Sequence, residues 1–157
     1  MSMRPFPLTI VFAAAAASAS APALAQGDCT GPPSAVRFYV NVENVRSSRG
    51  LIAVTLYPDE SRRFLARRGS LYVGRAPARA GTTRVCIHLP STGTWVFGVY
   101  HDEDGNRTIN RNSIGMPREG FGFSNNPRLL LSIPSFRSVR LAVPRNNMQT
   151  NIRLRYP

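Results

Sequence analysis

Apolar and polar residues alternate along much of the chain, and this period of two is typical of β-strands that bury one face. The pattern is clearest in AVRFYVNVE, where Val36, Phe38, Val40 and Val42 share one side and polar residues occupy the other. It recurs in five further segments: GLIAVTLYP, RVCIHLP, TGTWVFGVYHD, SVRLAVP and NIRLRYP. The shorter segment Leu71–Arg75 supplies a seventh strand.

The inward side of these strands predicts the core. Beyond the first strand, the predicted core residues are Ile52, Val54, Leu56, Val85, Ile87, Leu89, Trp95, Phe97, Val99, Val139, Leu141, Val143, Ile152, Leu154 and Tyr156. Turn-forming residues separate the strands, so the sequence predicts an all-β fold. We expect a single antiparallel β-sandwich, immunoglobulin-like or prealbumin-like, with about seven strands. The basic segment Ser61–Arg68 is predicted to form one or two helical turns with Phe64 and Leu65 facing inward.

The alternation stops between His101 and Phe136, where glycine, asparagine and proline are frequent. Long irregular connections in compact domains are usually functional or disordered. Apolar residues that favour an ordered loop are Ile114, Met116, Phe121, Phe123 and Leu129–Leu131. The sequence therefore predicts one long ordered loop in the sandwich.

The first 25 residues have the features of a secretory signal peptide. Arg4 precedes an apolar run too short to span a bilayer, and Ala23-Leu24-Ala25 matches the small-x-small cleavage pattern. Cleavage after Ala25 leaves residues 26–157 as one domain. No later segment is long and apolar enough to cross a membrane, so we expect a periplasmic or secreted protein without a transmembrane segment.

The chain has two cysteines, Cys29 and Cys86. In an oxidising compartment an even count of two predicts one disulfide. Such a bond would attach the start of the mature chain to a central strand, and loop closure would contribute about 4 kcal/mol of stability.

The formal net charge is +12, and every basic residue is arginine. Guanidinium groups bind phosphate and carboxylate through two atoms, so an anionic envelope polymer or an envelope protein is a predicted partner. The arginines are spread from Arg37 to Arg155 rather than clustered, which argues against nucleic-acid binding. A codon bias towards arginine explains the same composition, and the sequence does not separate these interpretations.

The segment HDEDGNRTIN places oxygen-bearing side chains at alternate positions, as calcium-binding loops do. The residues at positions one, three, five, seven and nine of this pattern are Asp102, Asp104, Asn106, Thr108 and Asn110. Arg107 replaces the glycine of position six, and Ser113 replaces the glutamate of position twelve, for which Glu103 and Glu119 are possible substitutes. The alternative is an Asx-rich turn whose side chains bond their own backbone. Both interpretations, a calcium site and a self-bonded turn, remain open.

The stretch VYHDEDGNRTINRNSIGMPREGFGFSNN, with IPSF at Ile133–Phe136, resembles the uncharacterised bacterial family called domain of unknown function 2141. The resemblance covers about residues 36–156 and implies an exported β-sandwich with no established activity. The residues that carry it are His101, Asp102, Glu103, Asn106, Gly115, Pro117, Glu119, Gly120, Gly122, Phe123, Ser124, Asn125 and Asn126. The chain departs from the family pattern at Arg107, where glycine is common, and at Asn110, where aspartate is common, and both changes would lower any calcium affinity relative to the relatives.

A hydrolase would have to use Ser124, His101 and Asp102 or Glu119, but neighbouring His101 and Asp102 diverge on an extended strand. No catalytic residues are therefore predicted. The sequence favours an exported non-catalytic module whose 101–126 loop is a ligand or partner surface. The alternatives are a calcium-stabilised envelope protein, a cationic module that docks on anionic envelope polymers and, last, a hydrolase.

Overall fold

The computed structural model describes residues 29–129 and 133–157, and this part of the chain forms eight strands and one short helix. The strands are β1 (Val36–Val45), β2 (Leu51–Pro58), β3 (Tyr72–Pro77), β4 (Gly81–Leu89), β5 (Gly93–Asp102), β6 (Phe121–Phe123), β7 (Arg140–Val143) and β8 (Met148–Arg153). The helix α1 is Phe136–Val139. The predicted signal peptide, residues 1–25, lies outside the described residues.

The strands form two sheets. The smaller sheet has the order β4-β1-β8, with β8 parallel to β1. The larger sheet has the order β3-β2-β5-β6, and β7 pairs with β5 as well. Because β2 occupies one edge of β5 along its length, β6 and β7 lie end to end on the other edge. The predicted all-β sandwich is confirmed, and an additional strand, β6, forms inside the segment predicted to be irregular.

The two sheets meet through the inward residues that the alternation predicts. Phe38 of β1 stacks on Phe97 of β5, with ring centroids 4.8 Å apart and planes at 8°. Predicted core residues from both sheets are buried in one cluster around this pair. Val36, Leu141 and Tyr156 are only partly buried and pack against the cluster. The sandwich core is therefore the one that the period of two specifies.

Strand β5 departs from the alternation because its outer face is covered as well. Val96 and Gly98 are buried together with the inward residues of the strand. A second cluster on this outer face consists of Val96, Phe121, Phe123 and Val139. Val139 lies in α1 and not in the strand predicted for it. The outer cluster holds the 101–126 region against the larger sheet.

The predictions for three apolar segments differ from the structure or concern residues outside the described ranges. Ser61–Arg68 forms a series of turns instead of a helix; Phe64 packs against the outer cluster, but Leu65 is 43% exposed. Ile114 is 80% exposed, so it does not anchor the loop. It lies in a turn and faces solvent. Residues 130–132 lie outside the described ranges.

Cys29 and Cys86 are joined by a disulfide, as predicted, with Cα atoms 4.5 Å apart. Thr30 continues the attachment: its backbone N donates to Cys86 O at 2.9 Å, and its O accepts from His88 N at 3.0 Å. Disulfides persist in oxidising compartments, so the bond fits an exported protein. Within residues 29–129 and 133–157, no helix has the length and apolar character of a membrane span.

Candidate functional site

The 101–126 loop (His101 to Asn126) leaves the end of β5, makes two tight turns and returns as β6 beside β5. In its second turn Arg111 and Pro117 form an isolated bridge. Within that turn Asn112 N donates to Met116 O at 2.9 Å. These backbone contacts confirm that the long connection is ordered.

In the first turn, alternate side chains accept hydrogen bonds from amides farther along the chain. Asp104 Oδ1 accepts from Asn106 N at 3.1 Å. Asn106 Oδ1 accepts from Thr108 N and Thr108 Oγ1, both at 2.8 Å. Asp102 Oδ2 accepts from Arg107 N at 2.8 Å, and Arg107 has a φ of 65°. The first turn is therefore self-bonded in the way that Asx turns are.

Glu119 joins the two halves of the loop. It is 4% exposed. Its Oε1 accepts from Glu103 N at 3.0 Å, and its Oε2 accepts from Asn110 N at 2.9 Å. Ligand oxygens of Asp102, Asp104 and Glu119 all lie within 4.8 Å of one another, and we call these three side chains the carboxylate cluster. Two predicted calcium ligands thus converge with the glutamate that the sequence offered for position twelve.

Burial and hydrogen bonds shift the pKa values of the cluster in different directions. Burial raises the pKa of Glu119 above its ordinary value, and the charges of Asp104 and Asp102 raise it further, against the two backbone donors. The pKa of Asp104 is lowered, chiefly by the hydrogen bond from Asn110 Nδ2, at 2.7 Å from Asp104 Oδ2. Two of the three carboxylates, those of Asp102 and Glu119, are buried, so negative charge is concentrated at one partly desolvated point of the loop beside the exposed Asp104.

His101 is fully buried and fastens the start of the loop to the C-terminal segment. Its Nε2 lies 2.8 Å from Arg49 O, and its Nδ1 lies 2.8 Å from Tyr156 Oη. Because a carbonyl only accepts, Nε2 carries the hydrogen, and in the neutral imidazole Nδ1 then accepts from the tyrosine hydroxyl. Tyr156 Oη in turn accepts from Arg46 N at 3.1 Å.

Arg46 forms the outer wall beside this network. Its guanidinium lies 4.5 Å from the centroid of the Tyr156 ring and pairs with the Glu103 carboxylate. The hydrogen bond from Arg46 lowers the pKa of Glu103. Sequence reasoning missed Arg46 and Arg49 as members of this region and assigned Tyr156 only to the core. Their convergence on the loop depends on the pairing of distant strands, for which local spacing carries no signal.

Ser124 completes the edge of β5 at the point where β6 ends. It is fully buried. Its backbone N donates to Phe97 O at 2.9 Å; its Oγ accepts from Phe97 N at 3.2 Å and donates to Val139 O. Since both ring nitrogens of His101 are bonded elsewhere, the structure does not bring Ser124 and His101 together as a nucleophile and base.

Asn125 and Asn126 fix the end of the loop to two strands. Asn125 Nδ2 donates to Arg140 O at 2.7 Å. Asn126 Nδ2 donates to Asn151 O at 2.9 Å, and its Oδ1 accepts from Arg153 N at 2.8 Å. Both residues have positive φ, 65° and 48°, which asparagine tolerates better than most residues. The side chains of these two signature residues therefore hold the loop against the neighbouring strands.

Two signature glycines permit the close approach of the C-terminal segment. A Cβ atom at Gly120 would lie 2.3 Å from Tyr156 Cε1, and one at Gly122 would lie 2.7 Å from Arg153 O. Any side chain at either position would push this segment away from β6. The signature therefore contains residues that serve packing as well as residues that form the polar turn.

Two depressions flank the loop. The groove, about 360 Å³, lies over the outer face of the larger sheet, and its lining includes Tyr57, Tyr100 and Met116. The cleft, about 480 Å³, lies on the other side, and its lining includes Arg46 and Glu119. The loop therefore separates a largely apolar surface from a charged one.

A family model described as "Uncharacterized protein conserved in bacteria (DUF2141)" matches residues 40–151. The match covers most of the chain and includes the whole 101–126 loop, which confirms the resemblance found in the sequence. No curated protein and no solved structure matches the chain.

Proposed function

The chain belongs to this family of uncharacterised bacterial proteins, and we propose that it is an exported, non-catalytic module whose 101–126 loop recognises an anionic partner in the cell envelope. The observation that carries the proposal is that all three arginines of the loop are exposed while two of its carboxylates are buried. Asp102 and Glu119 are buried. Arg107, Arg111 and Arg118 are exposed.

Within the part of the chain that the structure describes, the inward carboxylates accept hydrogen bonds from the loop backbone and form no ion pair with the exposed loop arginines. Asp102 and Glu119 accept hydrogen bonds from loop amides. Among the described side chains, the arginines in ion pairs with carboxylates are Arg46, Arg62, Arg63 and Arg140. The three exposed loop arginines are not among them. A positive surface attracts anionic ligands over about one Debye length, and guanidinium groups pair with phosphate, sulfate or carboxylate.

The groove supplies an apolar floor beside this charge. Tyr57 and Tyr100 line it together with Arg111, whose Nη1 donates to Gly115 O at 2.8 Å and is held in place by that bond. Aromatic faces beside a fixed guanidinium suit a polymer that combines ring faces with acidic groups. An acidic polysaccharide has this chemistry.

The non-catalytic part of the proposal is supported by the state of the polar side chains. The Ser124 hydroxyl completes a buried β-ladder, and the His101 ring is bonded on both nitrogens within the fold. These groups are committed to structure, whereas a nucleophile and its base need to face a substrate.

The test is binding of fluorescein-labelled dextran sulfate, an acidic polysaccharide, measured by anisotropy over a series of salt concentrations with chelator present. The triple variant Arg107→Gln, Arg111→Gln, Arg118→Gln removes three loop charges. If each exposed contact contributes about 0.5–1 kcal/mol, affinity falls roughly 10- to 100-fold. The salt dependence should become shallower as well.

The matched control carries the same change of charge away from the loop: Arg79→Gln, Arg137→Gln, Arg145→Gln. These three side chains are exposed. The control should keep an affinity within about threefold of the parent protein, since the loop contacts remain. Equal losses in the two triple variants would show that net charge alone drives binding and would refute a loop-specific surface. Binding that ignores salt would refute the anionic partner.

A further inference from the structure

The carboxylate cluster assembles three acidic side chains from both ends of the loop. Asp102 ends β5, Asp104 lies in the first turn, and Glu119 directly precedes the return to β6. Their ligand oxygens all lie within 4.8 Å of one another. Like charges repel at such distances, particularly where burial excludes water, so the arrangement requires compensation.

A second observation concerns Asp102, which is fully buried. Its Oδ2 accepts from Arg107 N. Its Oδ1 is buried and has no hydrogen-bond partner among the residues that the structure describes. A buried carboxylate oxygen without a partner is unfavourable, and in native proteins such an oxygen usually has a partner, which can be a protein group, a water molecule or an ion. The orphaned oxygen belongs to the same carboxylate that forms the cluster.

We propose that Asp102, Asp104 and Glu119 bind one Ca²⁺ ion. Oxygens this close, all within 4.8 Å of one another, can share one cation. Ca²⁺ suits them better than Mg²⁺ because it accepts an irregular set of protein oxygens, whereas Mg²⁺ demands a near-ideal octahedron and gives up its water reluctantly. The donors are all oxygen atoms, which is the preference of hard cations.

The proposed ligand set differs from the one that the spacing predicts. Asn106 Oδ1 accepts from both Thr108 N and Thr108 Oγ1, so both of its lone pairs are used within the turn, whereas Asp104 Oδ1 accepts from one donor only among the described residues. Asn110 acts indirectly, because its Nδ2 positions Asp104 and its N positions Glu119. Glu119 takes the role of the glutamate of position twelve, which is Ser113 in this chain.

The surroundings give the ion a path and leave open coordination positions for water. The cleft is lined by Asp104 and Glu119, so the cluster borders solvent-accessible space on that side. Arg46, which also lines the cleft, is paired with Glu103 and so offsets less of the cluster's charge. Three carboxylates in a small volume and a bivalent cation are electrostatically complementary.

This site does not rest on the proposed function, since a Ca²⁺ ion would bind whether or not the exposed arginines have a partner. The experiment is calorimetric titration of the chelator-treated, disulfide-bonded protein with CaCl₂, with MgCl₂ in parallel. We expect one Ca²⁺ per chain with Kd of about 10⁻⁴ to 10⁻³ M, as in extracellular modules. Mg²⁺ should bind more weakly.

Asp104→Asn is the decisive variant because Asp104 is exposed and belongs to no packed core, and circular dichroism checks that the variant is folded. It should weaken Ca²⁺ binding at least tenfold, and Glu119→Gln should do the same. Glu43→Gln, on β1, carries the same change of charge and should bind within twofold of the parent. No saturable Ca²⁺ heat up to about 10 mM would overturn the proposal. So would binding that both cluster variants leave unchanged. Because the dextran sulfate assay contains chelator, its outcome is independent of this one.

Discussion

Replacing Ser124 with alanine tests whether this signature serine is structural. In an antiparallel ladder, the N–H and C=O of one residue point to the same neighbour. Phe97 O accepts from Ser124 N, so Phe97 N–H also points away from β2, and it donates to Ser124 Oγ. Phe97 is fully buried. Alanine at position 124 would leave this N–H without an acceptor and remove the donor to Val139 O.

The expected cost follows from these two contacts. Each buried polar group that loses its partner costs about 1–3 kcal/mol, and partial relaxation of the strand end reduces the sum, so we expect about 2–4 kcal/mol. Guanidinium chloride unfolding followed by Trp95 fluorescence measures it. With an m-value of about 3 kcal/mol per M, the midpoint falls by roughly 1 M.

Ser113→Ala is the control, since Ser113 is exposed in the same loop. It should change the free energy of unfolding by less than about 0.5 kcal/mol. A Ser124→Ala protein as stable as the control would refute the ladder argument. It would also reopen the nucleophile interpretation, because removal of a catalytic hydroxyl seldom lowers stability.

Two further predictions concern the N-terminal attachment and alkaline stability. Replacing Cys29 and Cys86 with serine should lower the free energy of unfolding by about 4 kcal/mol, since the disulfide spans 57 positions; denaturation of both proteins measures this, and a loss under about 1 kcal/mol would contradict it. Burial raises the pKa of Tyr72 to about 12. The folded pKa exceeds the unfolded one, so the contribution of neutral Tyr72 to stability is complete below about pH 10. It is lost as pH rises from there towards the folded pKa of about 12. Tyr72→Phe should flatten this alkaline part of the stability curve, and an unchanged curve would assign it to another group.

The fold was predictable where one face of a strand is buried. Phe38, Ile52 and Phe97 could be placed in the core from alternation alone, because each residue of such a strand has only two sides to occupy. Strand β6 was missed because Phe121–Phe123 is too short to show a period. It is a strand only by virtue of its pairing with β5.

The sequence predicted those residues of the candidate site that lie close together along the chain. The spacing identified Asp102 and Asp104, since their positions in one turn depend on neighbouring residues only. The sequence also offered Glu119, together with Glu103, as a substitute for the glutamate of position twelve. It could not choose between them, because the path of the second half of the loop decides which of the two lies beside the first turn. Arg46 carried no signal, since it reaches the loop from the end of β1.

The position of β8 beside β1 has a consequence for biosynthesis. Strand β8 is synthesised after the other described strands and yet pairs with β1, the first of them, and until then one edge of β1 exposes unpaired N–H and C=O groups. Contacts between such distant segments form slowly and late. The smaller sheet is therefore complete only after β8 has been synthesised, whereas β1 can pair with β4 before that.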